Sequence, residues 1–79
     1  MIRRQRLNEE ILEQMQADND MIPPEVNNMV EKQINIEFPP DNRYFGICHI
    51  IWARKKVLYN QNGYKWYSPA EMHPEIIYD

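Results

Sequence analysis

Apolar residues in the first third of the chain recur at the spacing of one helix face. Four of them predict a first helix, which needs another element to lie against because the stripe is narrow: Leu7, Ile11, Leu12 and Met15. The run Ala17-Asp18-Asn19-Asp20 is predicted to end that helix, since it is a poor helix former. After Pro23-Pro24, the stripe of Val26, Met29 and Val30 predicts a second short helix, because proline suits the first helical turn.

The residues that follow alternate between apolar and polar, which is typical of an extended strand. Ile34, Ile36 and Phe38 alternate with Asn35 and Glu37, and Pro39-Pro40 then interrupts the pattern. The alternation predicts one short β segment over residues 34–38.

The centre of the chain predicts one long helix over residues 42 to 62. Asp41 or Asn42 can cap its start, and Gly63 can end it in a left-handed conformation. The apolar residues between these caps fall within an arc of roughly 160°. They are Tyr44, Phe45, Ile47, Cys48, Ile51, Trp52, Leu58 and Tyr59. Ile50 and Val57 lie outside the arc, so we expect the amino-terminal helix to cover them.

A β-hairpin is the alternative for the last part of that stretch. Segments 57–59 and 64–67 are both rich in strand-forming residues, and Asn60-Gln61-Asn62-Gly63 would make an acceptable turn. The long helix is favoured, because a hairpin would break the helical register that continues through Leu58.

The sharpest local signal is the sequence Ser68-Pro69-Ala70-Glu71. It is a capping box with proline at the first helical position, and it predicts a short helical turn. Pro74 limits that turn, because it disfavours helical geometry at His73. The tail, residues 75–79, is apolar enough that we expect it to pack back on the core or on a partner.

The composition supports one small, mainly α-helical domain over residues 1–79. The chain has 79 residues, of which 43% are hydrophobic, and a net charge of −3. Residues 1–33 carry seven acidic and four basic side chains, whereas all nine aromatic residues lie between Phe38 and Tyr78. We therefore distinguish a charged helical arm, residues 1–33, from an aromatic-rich half, residues 34–79, that holds the core.

Residues that could carry chemistry are few. Cys48 is the only cysteine, and on a helix it diverges from His49 by about 100°, so the two do not easily share a metal. Glu9 and Glu13 fit a solvated helix face, and two glycines cannot build a phosphate-binding loop. We expect no catalytic residues, no cofactor and no metal, and hence a protein that is not an enzyme.

The expected compartment follows from the lone thiol and from the absence of a long apolar run. The start of the sequence is basic but lacks an apolar leader segment, and the longest apolar stretch, residues 47–53, is too short to span a membrane. A free cysteine without an export signal fits a reducing cytoplasm.

The best candidate for a binding surface combines basic and aromatic side chains near the end of the long helix. Its residues are Trp52, Arg54, Lys55, Lys56, Trp66 and Tyr67. Aromatic residues and arginine dominate protein interfaces, so we expect a protein partner, either a host protein or a second copy in a self-assembling structure. Nucleic acid is the alternative, since such side chains also stack on bases and contact phosphates. Lys55 falls inside the apolar arc, where its stem could lie across Tyr44 and Tyr59.

The carboxy-terminal half also carries a recognisable pattern of residues. It consists of Gly46-x-x-His49-x-x-Trp52-x-x-x-Lys56, Gly63-Tyr64-x-Trp66-x-Ser68-Pro69-Ala70-Glu71, Pro74 and Asp79. From Phe45 to Asp79, the chain resembles small uncharacterised proteins of gut bacteria and their phages or mobile elements. The resemblance implies a small accessory protein. Together with the small size of the chain and its lack of catalytic residues, it leads to the hypothesis of a protein that binds and modulates a host protein such as a defence component.

Overall fold

Helices account for most of the chain in the computed structural model, which describes residues 6–78. The four α-helices are α1 (Glu9–Asp20), α2 (Pro24–Glu37), α3 (Ile47–Gln61) and α4 (Pro69–Met72), and a 3-10 turn spans Pro40–Asn42. Residues 6–78 contain no β-strand. The prediction of a small, mainly α-helical domain is therefore confirmed.

Helix α1 begins at a side-chain cap and ends with the run that was predicted to end it. The Asn8 side chain accepts a hydrogen bond from the Glu10 backbone N–H at 2.7 Å. The last helical residue is Asp20, so the run 17–20 forms the final turn of the helix. Asp18 and Asp20 accept side-chain hydrogen bonds from glutamines one turn earlier, at 3.2 and 2.9 Å. Because these carboxylates already have partners, they do not compete with the helical backbone.

Helix α2 starts at Pro24, as the double proline predicts, but it extends through Glu37. The predicted β segment over residues 34–38 is therefore wrong. Ile34 is 1% exposed, whereas Ile36 is 71% exposed, so the two isoleucines do not share one face. The pattern that governs this stretch is the helical spacing of Val26, Val30 and Ile34, which continues the stripe of the second predicted helix.

Helix α3 is shorter at its start than the predicted helix over 42 to 62. It begins at Ile47 after Gly46, whose φ of 83° places it in the left-handed region. Arg43 holds the preceding loop against α2 by donating to the Phe38 carbonyl at 3.1 Å and the Asn35 side chain at 3.0 Å. Tyr44 and Phe45 therefore lie outside the helix and are exposed, although the apolar arc included them.

The end of α3 agrees with the prediction for Gly63. Its φ is 85°, and the Gly63 and Tyr64 N–H groups donate to the carbonyls of Asn60 and Tyr59, both at 3.0 Å. This is the Schellman arrangement, in which a left-handed glycine ends a helix. Residues 57–61 are helical and residues 64–68 are unpaired, so the alternative β-hairpin is not formed.

Helices α2 and α3 pack as an antiparallel pair, which we call the helical hairpin. Its direction is visible in the contacts from Tyr59 to Asn27 and from Lys55 to Glu31. The buried apolar core lies mainly between these helices and consists of Ile22, Val30, Ile34, Ile47, Ile51 and Tyr59. Ile22 and Val30 come from the amino-terminal part of the chain, so the core draws on both parts of the domain.

The rest of the chain crosses one side of the helical hairpin. The extended segment 64–68 leads into α4, whose predicted capping box between Ser68 and Glu71 is present. The tail returns to α3, where the Tyr78 ring meets the edge of Trp52 at 5.2 Å, as expected for a tail that packs on the core. Among residues 6–78, no helix is long and apolar enough to cross a bilayer.

The other side of the helical hairpin remains open. We expected the amino-terminal helix to cover Ile50 and Val57, but these side chains are 48% and 44% exposed. Helix α1 is held instead at Tyr67, where its Asn19 side chain bonds to the backbone. The expected packing is therefore wrong, because polar contacts to segment 64–68 place α1 elsewhere.

Two isoleucines in α2 give a direct test of the helical register. We predict that Ile34→Ala lowers the free energy of unfolding by about 2–5 kcal/mol, since it opens a cavity in the core. Ile36→Ala should change it by no more than about 0.5 kcal/mol, because that side chain is exposed. Urea unfolding followed by circular dichroism measures both, and the milder Ile34→Val keeps the comparison possible if Ile34→Ala does not fold. Equal losses at the two positions would contradict the helix and favour a strand.

Candidate functional site

The three basic residues of the predicted interface each face a carboxylate of the same chain. Arg54 donates two hydrogen bonds to Glu37, at 2.8 and 3.0 Å. The ammonium nitrogens of Lys55 and Lys56 lie 2.6 and 2.5 Å from carboxylate oxygens of Glu31 and Glu71. The hydrogen bonds from Arg54, and then from Gln33, hold the pKa of Glu37 below its ordinary value. The positive charge of this triplet is thus balanced inside the molecule.

Two aromatic residues of the predicted interface attach segment 64–68 to α3. Trp66 stacks on Tyr59 with ring centroids 5.3 Å apart, and the Lys55 ammonium lies 5.1 Å from the centre of the Trp66 ring. The Lys56 ammonium likewise lies 5.6 Å from the centre of the Tyr67 ring. The Lys55 stem was expected to cross Tyr44 and Tyr59, but Tyr44 lies outside the helix and Trp66 takes that place.

Trp52 lies on a different part of α3, where it meets the tail. Its ring makes edge contacts with His49 and Tyr78, at 5.4 and 5.2 Å between centroids. Trp52 and Lys56 also line a cleft of about 330 Å³ between α3 and α4. The structure therefore divides the predicted interface residues among several internal contacts and does not assemble them into one open surface.

The residues considered for metal binding or nucleophilic chemistry have separate local partners. His49 donates from Nε2 to the Tyr78 carbonyl at 2.6 Å, and His73 Nδ1 lies 3.3 Å from a Glu75 carboxylate oxygen. Cys48 is half-buried in α3. Within residues 6–78, no three side chains of the metal-ligating types come together.

An apolar groove beside α1 was not predicted as a binding site. It has a volume of about 550 Å³, and we call it the α1 groove. Its lining residues are Leu7, Ile11, Gln14, Met15, Tyr67 and Glu71. The sequence indicated that the stripe of Leu7, Ile11 and Met15 needs cover. It did not indicate that the cover is partial and leaves Ile11 49% exposed.

The walls of the α1 groove are joined at the end of α1. The Asn19 side chain accepts a hydrogen bond from the Tyr67 N–H at 2.9 Å and donates one to the Tyr67 carbonyl at 3.1 Å. The Tyr67 hydroxyl also donates to Asp18 at 3.3 Å. These bonds fix Tyr67 as one wall, while Leu7 and Ile11 extend the other wall toward the start of the helix.

The side of the molecule that carries the groove is acidic. Residues 6–20 contain five carboxylates and one cation, Arg6. Within the described part of the chain, the ion pairs use only Glu31, Glu37, Glu71 and Glu75. None of the α1 carboxylates therefore has a cationic partner among residues 6–78. Their combined charge is directed to solvent along α1.

A second apolar surface lies on the open side of the helical hairpin, and we call it the hairpin face. It contains four half-exposed or exposed apolar side chains, which are Met29, Ile36, Ile50 and Val57. The Arg54–Glu37 ion pair joins the two helices on this side. Met29 and Leu58 also line a shallow cleft between the helices, so the face continues from α2 to α3.

The class that the fold defines is a small helical domain with two partly open apolar surfaces. In comparisons with known proteins, no family model, no curated protein and no solved structure matches this sequence. The function is therefore argued from the surfaces of this chain.

The contact between Lys56 and Glu71 predicts a pH dependence of stability. Burial acts to raise the pKa of Glu71, but hydrogen bonds from Lys56 and the Ser68 backbone outweigh it and hold the pKa below 4.5. A carboxyl with a lowered folded-state pKa stabilises the fold above its unfolded pKa, and this contribution is lost as the pH falls through the folded pKa. We predict that Glu71→Gln, which keeps the capping geometry, melts a few degrees below the unmodified chain at pH 7.

The difference in melting temperature between the two proteins should shrink as the pH falls below 4.5, because Glu71 is then progressively protonated in both folded and unfolded states. Thermal unfolding by circular dichroism between neutral and acidic pH measures it. Lys56→Gln is the matched variant, since it removes the other partner of the ion pair. Its melting temperature should also lie below that of the unmodified chain at pH 7, and this difference should also shrink at acidic pH. A difference that stays constant across this range would contradict the assignment.

Proposed function

We propose that this chain is a small non-enzymatic binding protein whose contact surface is the α1 groove. The observation that carries the proposal is an open apolar groove, lined by the half-exposed Ile11, beside a helix that buries no residue fully. Exposed apolar surface beside polar residues is characteristic of protein interaction sites. The groove is held open by the Asn19–Tyr67 bonds, so a partner would meet a formed surface.

The biological role that we propose is that of a phage or mobile-element accessory protein in the cytoplasm, which binds and modulates a host protein such as a defence component. The resemblance of residues 45–79 to such proteins supports this setting, and the lone Cys48 fits a reducing compartment. The groove lies partly outside the resembling stretch, since Ile11 and Met15 come from α1 and Leu7 precedes that helix.

The α1 groove is preferred over the basic and aromatic residues around Trp52 for two reasons. Each cation of that group already faces a carboxylate of the chain, and Trp66 is stacked on Tyr59. Contacts to nucleic acid depend on cations that can neutralise phosphates, so these pairs argue against the nucleic-acid alternative.

Affinity capture tests this proposal. The tagged chain is incubated with lysate of the host cells, with and without nuclease, and the bound proteins are identified by mass spectrometry. We expect one protein partner that resists nuclease and is lost with Ile11→Asn. Ile77→Asn is the matched control, because Ile77 is also exposed but lies in the tail, outside both apolar surfaces, and it should retain the partner. Binding that disappears with nuclease, or that ignores Ile11→Asn, would contradict the proposal.

Self-association is a second candidate function, and the hairpin face supports it. Two helices of 14 and 15 residues make a face about 20 Å long and about 20 Å wide. Pairing two copies through this face would cover roughly 400 Å² on each copy, or about 800 Å² in total, which is the size of a weak, transient contact. Such a contact would be isologous, with the same patch of both copies facing each other.

Light scattering after size exclusion tests the second candidate. We expect the chain to shift from monomer to dimer as its concentration rises through the micromolar range. The double variant Ile50→Glu/Val57→Glu should stay monomeric, because it places like charges opposite each other in the contact. Ile77→Glu, a substitution of an exposed residue in the tail, is the control and should leave the dimer intact. A monomer at all concentrations would exclude this function.

A further inference from the structure

The α1 groove also indicates what kind of partner it fits. We infer that it receives a basic amphipathic helix of another protein, with the apolar face of that helix against Ile11 and its basic residues beside the α1 carboxylates. The inference rests on the proposed function and names the chemistry of the partner. Two observations support it, the shape of the groove and the charge beside it.

The shape of the groove suits a helix. Ile11 and Met15 lie one turn apart on α1, about 6 Å along its axis, and Leu7 extends this apolar strip beyond the start of the helix. Tyr67 forms the opposite wall. Helix-binding grooves take apolar side chains from successive turns of the ligand, and a strip of three successive apolar side chains offers such contacts. A small molecule would be less well enclosed, because Ile11 remains half-exposed and such ligands are usually buried on most sides.

The negative charge beside the groove determines the sign of the charge that a partner should carry. Glu10 lies one turn before the groove residue Gln14, and Asp18 lies one turn after it, so a row of acidic side chains follows the groove. Neither carboxylate has a cationic partner among residues 6–78. Lysine or arginine residues that flank the apolar stripe of a ligand helix would supply the missing cations. Complementary charge of this kind speeds association and selects the partner.

The same charge argues against two other occupants of the groove. A second copy of this chain would offer α1 as its amphipathic helix, and α1 is itself acidic, so the two would repel each other. Nucleic acid carries the wrong sign as well, since its phosphates would face the α1 carboxylates. A basic helix satisfies both the apolar strip and the acidic row.

Synthetic peptides of defined sequence test the inference with the full chain. The first probe is a labelled 18-residue helix of leucine and lysine, about five turns long, with leucines at the spacing of one helix face. The second replaces every lysine by glutamate, and the third keeps the lysines but scrambles the leucines. We expect the first to bind about tenfold or more tightly than either control in fluorescence anisotropy. Its affinity should fall as salt is raised from about 0.05 M to about 0.5 M. Equal binding of the first and second probes, or of the first and third, would overturn the inference.

Variants of the chain locate the binding. Ile11→Asn should weaken the first probe about tenfold, whereas Ile77→Asn, at an exposed residue of the tail, should leave it unchanged. Glu10→Gln/Asp18→Asn should weaken it several-fold and reduce its salt dependence, and Glu25→Gln/Asp41→Asn controls for the same loss of charge elsewhere. Circular dichroism confirms that each variant is folded. If a groove variant and its control weakened binding of the first probe equally, the inference would be overturned. If capture from lysate depends on Ile11 but the first probe binds no better than its two control peptides, the inference of a basic helix is wrong and the proposed function stands.

Discussion

The structure depends on one side chain, Tyr59, which joins three parts of the chain. It is 2% exposed, and its hydroxyl donates to Asn27 on α2 at 2.7 Å. Its ring stacks on Trp66, and its backbone carbonyl accepts from Tyr64 where α3 ends. Burial, and then the nearby charge of Glu31, raise the pKa of this phenol above its ordinary value. The helical hairpin and the segment that crosses it therefore share one anchor.

The remaining contacts differ in how much they stabilise. Exposed ion pairs such as Arg54–Glu37 contribute roughly 0–1 kcal/mol each, whereas large aromatic side chains dominate the energetics of a small core. Helix α1 buries no residue fully and is held through the polar bridge from Asn19 to Tyr67. Elements with few buried apolar contacts open at lower free energy than the core. The α1 groove thus borders the least buried of the three longer helices, where a partner adds the most apolar cover.

The distribution of charge follows from the same packing. The basic triplet 54–56 is the most cationic stretch of the sequence among residues 6–78, but the fold places Glu31, Glu37 and Glu71 beside it. Within residues 6–78, the acidic side chains of α1 have no such cationic neighbours. The basic and acidic side chains therefore balance each other on the helical hairpin, whereas acidic side chains predominate along α1. The hairpin face and the α1 groove thus differ in the charge of their surroundings.

The sequence by itself determined the features that depend on neighbouring residues. The start of α2 after Pro23, the left-handed end of α3 at Gly63 and the Ser68–Glu71 capping box follow from local dihedral preferences and short-range hydrogen bonds. Where local signals conflicted, as at 34–38, the strand pattern was misleading because burial of Ile34 against α3 favours the helical stripe. Only the tertiary structure decided the partners of the basic triplet, the exposure of Ile50 and the α1 groove. These depend on contacts between residues 15 to 49 positions apart, and such distances leave no periodic trace in the sequence.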